Sequence, residues 1–192
     1  MSNNLFQNLS SPPVPGGFPG RSKYYIQFWY VVSATLFRLS PHFMYGWRRF
    51  LLRLFGASIG KGVKIRPSVT INYPWNISIG NCSYIGDEVV LYSLAKINIG
   101  AHVSISYRVF LCTGTHDYRN KNYALIVNPI LIEDEVWLAT DVFVAPGVSI
   151  GSGSVVGARC NVFKSLDSNG VYSGNPLKYL RPRIGLGEDL IN

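Results

Sequence analysis

An aliphatic residue returns at every sixth position over much of this chain, and no other feature limits its possible folds as strongly. The pattern runs from residue 59 to residue 162 in five sets of three positions. All fifteen positions hold Ile, Leu or Val: Ile59, Ile65, Ile71, Ile79, Ile85, Leu91, Ile99, Ile105, Leu111, Ile132, Leu138, Val144, Ile150, Val156 and Val162. A period of six fits neither an α-helix nor an alternating strand, whose periods are about 3.6 and about 2 residues. It predicts an all-β main domain, a parallel β-helix of about five coils with three short strands per coil.

A second set of small or medium-sized residues lies four positions after the aliphatic ones, and we expect it to fill the corners of the coils. Its members are Val63, Val69, Ser83, Val89, Ala95, Val103, Val109, Val136, Val142, Val148, Ser154 and Cys160. Glycine directly follows six aliphatic positions, at residues 60, 80, 86, 100, 151 and 157. We expect these glycines to turn corners, because glycine tolerates backbone angles closed to other residues. The sets starting at residues 59, 79 and 99 lie 20 residues apart, against 18 between residues 132 and 150, which predicts a two-residue bulge in the longer coils.

The segment before the repeat, residues 1–56, is predicted to be a tail followed by two helices. Residues 1–20 are rich in Pro, Gly, Ser and Asn, which favours a flexible or loosely docked tail, and they lack the features of a secretory signal. Residues 24–37 are nearly all apolar but too short to span a membrane, which takes about 20 residues. For the second helix, Ser40 is the expected N-cap, Pro41 the first residue and Gly56 the stop.

Positive charge is concentrated in this N-terminal segment. The net charge of the chain is +8, and residues 1–56 hold six basic residues and no acidic one. We expect Arg48, Arg49 and Arg53 to face away from the apolar side of the second helix. Two interpretations stay open: helices that pack on the main domain, or a peripheral anchor formed by residues 21–56 with its basic face on an anionic membrane. Nucleic acid is not an expected partner, because the segment is too apolar and carries no binding motif.

The cysteines bear on the compartment. Cys82, Cys112 and Cys160 are odd in number and lack metal-ligand spacing. This argues against a disulfide framework and favours a reducing compartment. We therefore expect a cytoplasmic protein, at most peripheral to the inner face of the membrane.

The six-residue repeat is interrupted once by a long insertion. After Leu111 the next aliphatic position would be residue 117, but the pattern resumes at Ile132, fifteen residues later. We expect residues 113–130 to leave the coil as a loop that forms a wall of the functional site, since long loops in compact domains usually carry function. This loop contains His116, one of three histidines.

The repeats, the histidine loop and the C-terminal motif SGNPLKYLRPR together resemble the hexapeptide-repeat acyltransferases. The segments GWRRFLLRLFGASIG (46–60), PWNISIG (74–80) and LCTGTHDYR (111–119) are similar to those of the colanic acid and exopolysaccharide biosynthesis acetyltransferases. The resemblance implies a left-handed β-helix, a homotrimer with active sites between subunits, acetyl-CoA as donor and His116 as the catalytic histidine. An imidazole suits that role, because near neutral pH it can take a hydroxyl proton and return it to the departing thiolate.

The resemblance also implies a site for CoA. The residues it assigns are Trp137, Thr140, Ala158, Lys164, Lys178 and Arg181. The tryptophan would lie near the cofactor arm, the next two would line the pantetheine through backbone groups, and the three basic residues would hold the phosphates. Two departures from the family pattern are Phe163, where a Thr is usual, and KSLDSNG (164–170), which lacks the usual prolines.

Three acidic residues are candidates for the acceptor side. Glu88 falls where related sugar acetyltransferases place an acceptor-binding Asn, and its carboxylate could accept a hydrogen bond from a sugar hydroxyl or from His116. Asp87 beside it and Asp117 directly after His116 are further candidates for orienting the imidazole or the acceptor.

These observations predict an N-terminal region (1–56), a β-helix (57–166) and a C-terminal segment on the CoA side (167–192). The predicted function is acetyl-CoA-dependent, metal-free O-acetylation of a saccharide or polysaccharide precursor. Alternatives stay open: another small acceptor such as an antibiotic, the amine of an amino sugar, or an inactive scaffold. A zinc enzyme is disfavoured, because only His102 and His116 lie on the predicted coil.

Overall fold

The computed structural model describes residue 6, residues 8–10 and residues 12–184 of the chain. The main domain is a left-handed parallel β-helix with five complete coils and part of a sixth. Three sheets form the three sides of the coil, and neighbouring coils pair through parallel strands. The predicted β-helix, its loop excursion and the helical segment before it are confirmed.

Each side of the β-helix takes one short strand from every coil. The first side consists of β1 (Ser58–Ile59), β4 (Ile77–Ile79), β7 (Ile97–Ile99), β12 (Ile130–Ile132) and β15 (Ser149–Ile150). The second consists of β2 (Lys64–Ile65), β5 (Tyr84–Ile85), β8 (Ser104–Ile105), β13 (Trp137–Leu138), β16 (Val155–Val156), β18 (Gly170–Ser173) and the antiparallel β19 (Lys178–Pro182). The third consists of β3 (Thr70–Ile71), β6 (Val90–Tyr92), β9 (Phe110–Cys112), β14 (Phe143–Val144) and β17 (Asn161–Val162).

The aliphatic positions form the interior of the coil, as predicted. None of the fifteen is more than 6% exposed. Burying one such side chain stabilises the fold by roughly 1.5–3 kcal/mol, and each coil adds its three to a continuous column. One column in register consists of Ile65, Ile85, Ile105, Leu138 and Val156.

The corner positions are also buried, with one exception. Eleven of the twelve predicted residues lie in the interior, but Ala95 is only half-buried. Ser93 takes the interior place, and its hydroxyl accepts from the Tyr73 N–H at 2.9 Å and donates to the Tyr73 carbonyl at 3.1 Å. The prediction for Ala95 is wrong because the two extra residues of the longer coils fall at this corner. In the preceding coil the same corner contains a short 3-10 helix, Pro74–Asn76.

The predicted corner glycines are needed for a different reason from the one expected. None of the six has a positive φ angle; among the residues that do, Cys82, Glu88 and His102 have φ of 56–58°. At Gly80, an added Cβ would lie 2.5 Å from backbone atoms of Gly100 and Ala101. Glycine is therefore required where adjacent coils approach each other closely, and not to reach a special backbone angle.

The two helices differ in part from their predicted bounds. Helix α1 spans Lys23–Val32, begins at the N-cap Ser22 and continues into a π-helical turn, Ser33–Phe37. Helix α2 spans Tyr45–Leu54 and ends before Gly56, whose φ of +89° suits the predicted stop. The predictions of Ser40 as N-cap and Pro41 as first residue are wrong, since Met44 precedes the helix. Among the described residues, no helix is both long and apolar enough to cross a membrane.

The arginines of α2 do not face away from the protein, which corrects the expected orientation. Arg48 is fully buried, and its Nε donates to the Ile65 carbonyl at 2.7 Å. Arg49 Nη1 donates to the Val63 carbonyl at 2.7 Å, and Arg53 Nε to the Ile59 carbonyl at 3.0 Å.

These carbonyls belong to the first coil, which has no preceding coil to pair with. On its third side, the indole N–H of Trp29 from α1 donates to the Ile71 carbonyl at 2.9 Å. Donors from α1 and α2 therefore satisfy acceptors on all three sides of the first coil. Because an unpaired buried carbonyl is costly, the helices serve as a cap on the open end of the β-helix.

Candidate functional site

The insertion at residues 113–130 forms a hairpin on a fixed base. Strands β10 (Gly114–His116) and β11 (Leu125–Val127) pair antiparallel, with His116 opposite Leu125. The Asn128 N–H donates to the Thr113 carbonyl at 2.9 Å and closes the neck. Thr113 is fully buried, and its hydroxyl donates to the Tyr92 carbonyl at 2.6 Å and accepts from the Ala95 N–H at 2.9 Å. The hairpin is therefore anchored to the preceding coil.

The imidazole of His116 is oriented by a residue that sequence reasoning missed. Its Nδ1 lies 2.9 Å from the Tyr123 carbonyl oxygen, and the two rings stack with centroids 4.2 Å apart and planes within 10°. A carbonyl oxygen can only accept a hydrogen bond, so Nδ1 carries the proton and Nε2 of the neutral ring keeps its lone pair. The sequence contains no spacing motif that links the two residues, because the hairpin register brings them together.

None of the three acidic candidates makes a side-chain hydrogen bond to His116 among the described residues. The Asp117 carboxylate accepts from the Arg119 N–H at 3.0 Å. Asp87 binds Arg66 at 2.6 Å and the Ser68 hydroxyl at 2.7 Å.

Glu88 lies at the corner between the second and third sides and is exposed, whereas the hairpin leaves the coil after the third side. Its backbone N–H donates to Ser68 Oγ at 3.0 Å. The Glu88 carboxylate makes no hydrogen bond to a described residue and is accessible at the surface.

Trp137, Thr140 and Ala158 lie on or next to the second side. The Trp137 ring is half-exposed, and its N–H donates to Ser106 Oγ at 3.1 Å. The Thr140 carbonyl accepts from the Arg159 N–H at 2.8 Å, so the corners that carry Thr140 and Ala158 stack directly.

A charged ladder runs along the same corner. Asp141 contacts Arg108 at 2.8 Å and Arg159 at 3.6 Å. This ladder could not be predicted from the sequence, because no short-range spacing connects three successive coils.

The C-terminal end of the β-helix contains a concavity lined by aromatic, aliphatic and basic side chains. It has a volume of about 610 Å³ and is lined by Phe163, Lys164, Leu166, Tyr172, Leu177 and Tyr179, among others. Lys178 lines a shallower neighbouring concavity of about 370 Å³, and Arg181 is exposed on β19. The three predicted basic residues thus lie at this end, whereas Trp137, Thr140 and Ala158 lie outside the cavity within one chain. Among the described residues, no group of three His, Cys, Asp or Glu side chains could hold a metal ion.

The described part of the N-terminal tail docks on the His116 hairpin. The Asn8 N–H donates to the Lys121 carbonyl at 2.7 Å, and the Leu125 N–H donates to the Pro13 carbonyl at 2.9 Å. Further along, the Trp75 indole donates to the Pro19 carbonyl at 3.3 Å. The described tail residues thus contact the hairpin through backbone hydrogen bonds, whereas the sequence predicts a flexible or loosely docked tail.

Known proteins share this architecture and sequence. No protein-family model matches the chain. A protein of Escherichia coli K12, provisionally named colanic acid biosynthesis acetyltransferase WcaF, is 53% identical over 178 residues, which are 93% of this chain and 98% of that protein. The galactoside O-acetyltransferase of the same organism is 31% identical over 70% of this chain and 68% of that protein.

The solved structure of a similar protein has the same fold. A hexapeptide-repeat acetyltransferase of Vibrio cholerae O1 biovar eltor, complexed with acetyl coenzyme A, superposes with a TM-score of 0.78 at 25% identity, over 88% of this chain and 92% of that one. Fold, repeat and relatives therefore lead to one assignment: the chain belongs to the hexapeptide-repeat acetyltransferases.

Proposed function

We propose that the protein transfers an acetyl group from acetyl-CoA to a hydroxyl of a saccharide or polysaccharide precursor, with His116 as general base. The observation that carries this proposal is the bond between His116 Nδ1 and the Tyr123 carbonyl, which leaves Nε2 as the basic nitrogen. The names of the relatives, which refer to colanic acid biosynthesis and to galactoside O-acetylation, support a sugar hydroxyl as acceptor.

The reaction needs one proton carrier and no covalent enzyme intermediate. Nε2 of His116 takes the hydroxyl proton while the acceptor oxygen attacks the thioester carbonyl. When the tetrahedral intermediate collapses, the carbon–sulfur bond breaks and the imidazolium returns the proton to the CoA thiolate. The Tyr123 carbonyl favours this cycle, because it accepts from Nδ1–H throughout and stabilises the imidazolium that forms.

The donor is proposed to bind along the second side toward the C-terminal end. Lys164, Lys178 and Arg181 supply positive charge for the CoA phosphates around the terminal cavity. Trp137, Thr140 and Ala158 would line the pantetheine arm. A solved protein of the same fold is complexed with acetyl coenzyme A, which supports acetyl-CoA as the donor.

We further propose a homotrimer with the active site between subunits. Within one chain the His116 hairpin leaves the coil after the third side. Trp137 lies on the second side, and Glu88 lies at the corner that follows the second side. A neighbouring subunit packed against the hairpin would bring these groups together.

All three cysteines are free thiols, which supports a reducing, cytoplasmic compartment.

The test measures release of free CoA with a thiol reagent, using acetyl-CoA and a panel of oligosaccharide acceptors. His116→Asn should lower kcat by about 10²–10⁴-fold. The matched control is His102→Asn, which changes an exposed histidine at a corner with φ of 56° and should leave kcat unchanged. Full activity of His116→Asn, or no acetyl transfer to any saccharide, would refute the proposal.

A further inference from the structure

The inward-facing arginines leave the outer side of the N-terminal helices apolar. Eight large apolar side chains in this region are 52–77% exposed. We call them the apolar cap face: Tyr24, Phe28, Val31, Leu36, Leu39, Phe43, Phe50 and Leu54.

The helical spacing places five of these side chains on the outer sides of the two helices. Tyr24, Phe28 and Val31 follow one another at four and three residues on α1, and Phe50 and Leu54 are four apart on α2. On each helix the opposite side is committed to the first coil through Trp29 and Arg48. The cap cannot turn its apolar residues inward without losing the donors that satisfy the first coil.

The charge around the apolar cap face selects among the surfaces that could cover it. Arg21, Lys23 and Arg38 are exposed next to it, and no acidic residue precedes Asp87 in the chain. A second copy of the same face would bring these cations together without acidic partners, which disfavours self-association. An anionic lipid surface offers negative charge at the rim and an apolar layer beneath it.

We propose that the apolar cap face inserts into the interfacial layer of an anionic lipid bilayer, with Arg21, Lys23 and Arg38 contacting the headgroups. The orientation is the reverse of the one predicted from the sequence, because apolar residues and not the α2 arginines meet the lipid. The long axis of the β-helix then rises from the membrane.

Binding in this orientation would also set the distance between the bilayer and the His116 hairpin. The proposal of membrane binding does not depend on the proposed reaction. The His116 hairpin leaves the third coil, and successive coils are spaced by about 4.8 Å. Its base therefore lies roughly 10 Å beyond the first coil. The helical cap adds about 10 Å to this distance. A saccharide of several sugar units would span the roughly 20 Å to the hairpin while its lipid carrier stays in the bilayer.

The test is co-sedimentation of the full chain with vesicles of phosphatidylcholine mixed with phosphatidylglycerol, and with phosphatidylcholine alone. Wild-type protein should bind the mixed vesicles more tightly. The triple variant Phe28→Ser, Phe43→Ser and Phe50→Ser should lose about a thousandfold in vesicle affinity, since each phenylalanine contributes about tenfold. The matched control is Phe163→Ser, which removes a 68% exposed phenylalanine after the last strand of the fifth coil and should bind like wild type.

Folding of each variant is checked by far-UV circular dichroism, and Phe43→Ser alone replaces the triple variant if that one does not fold. The proposal would be overturned if the wild type bound neither kind of vesicle. It would also be overturned if the triple variant, or Phe43→Ser in its place, bound the mixed vesicles as tightly as the wild type. If the wild type bound no vesicles and the variants differed from it in oligomeric mass by analytical ultracentrifugation, the apolar cap face would be a contact between protein chains. Because no readout uses acetyl transfer, these outcomes are independent of the proposed reaction.

Discussion

Removing the guanidinium of Arg48 should strongly destabilise the protein. Arg48 has no exposed surface and makes four hydrogen bonds, at 2.6–2.9 Å. Their acceptors are the Ile65, Pro41 and His42 carbonyls and the Ser40 hydroxyl. Arg48→Met keeps most of the side-chain volume but leaves all four acceptors without this donor.

The expected loss follows from the burial of those acceptors. The bond to Ile65 is buried, whereas the other three are partly buried and can regain water. An unsatisfied buried acceptor costs about 1–3 kcal/mol, and each partly exposed bond contributes about 0.5–1.5 kcal/mol. We therefore expect Arg48→Met to lower the free energy of unfolding by about 3–5 kcal/mol.

Urea unfolding followed by circular dichroism measures this difference at a fixed protein concentration. Arg53→Met is the matched control, because Arg53 is exposed and its carbonyl partners can be rehydrated; we expect a loss of about 1 kcal/mol. Equal midpoints for Arg48→Met and Arg53→Met, with unchanged denaturant slopes, would contradict the capping argument.

Three further changes test other parts of the structure. Tyr123→Ala keeps the carbonyl but removes the stacked ring, so kcat should fall about tenfold with little change in KM in steady-state assays; an unchanged kcat would exclude a positioning role. Gly80→Ala should lower the thermal midpoint by several degrees, whereas Gly46→Ala, which meets only the Arg49 side chain at 3.8 Å, should not. Burial raises the pKa of the Cys112 thiol, so iodoacetamide should modify exposed Cys82 first at pH 8, and reversed rates by mass spectrometry would count against the packing described.

Several features of the site could be predicted from the sequence because they depend on local order along the chain. A six-residue period can only bury its aliphatic side chains in a coil with three sides, and a gap in that period must leave the coil. The position of His116 in the excursion followed from that count. Its partner Tyr123 did not, because the hairpin register sets which residues face each other within the loop.

The N-terminal segment shows the limit of pattern analysis most clearly. The sequence by itself determined that α2 has an apolar side and an arginine side, since helical periodicity separates them. Only the tertiary structure decided which side faces inward. The open end of the first coil presents carbonyl groups that need donors, and Arg48, Arg49 and Arg53 provide them. The need for these donors arises from the open edge formed by residues 59–71. The periodicity of α2 contains no information about that edge, so it cannot predict which side of the helix faces inward.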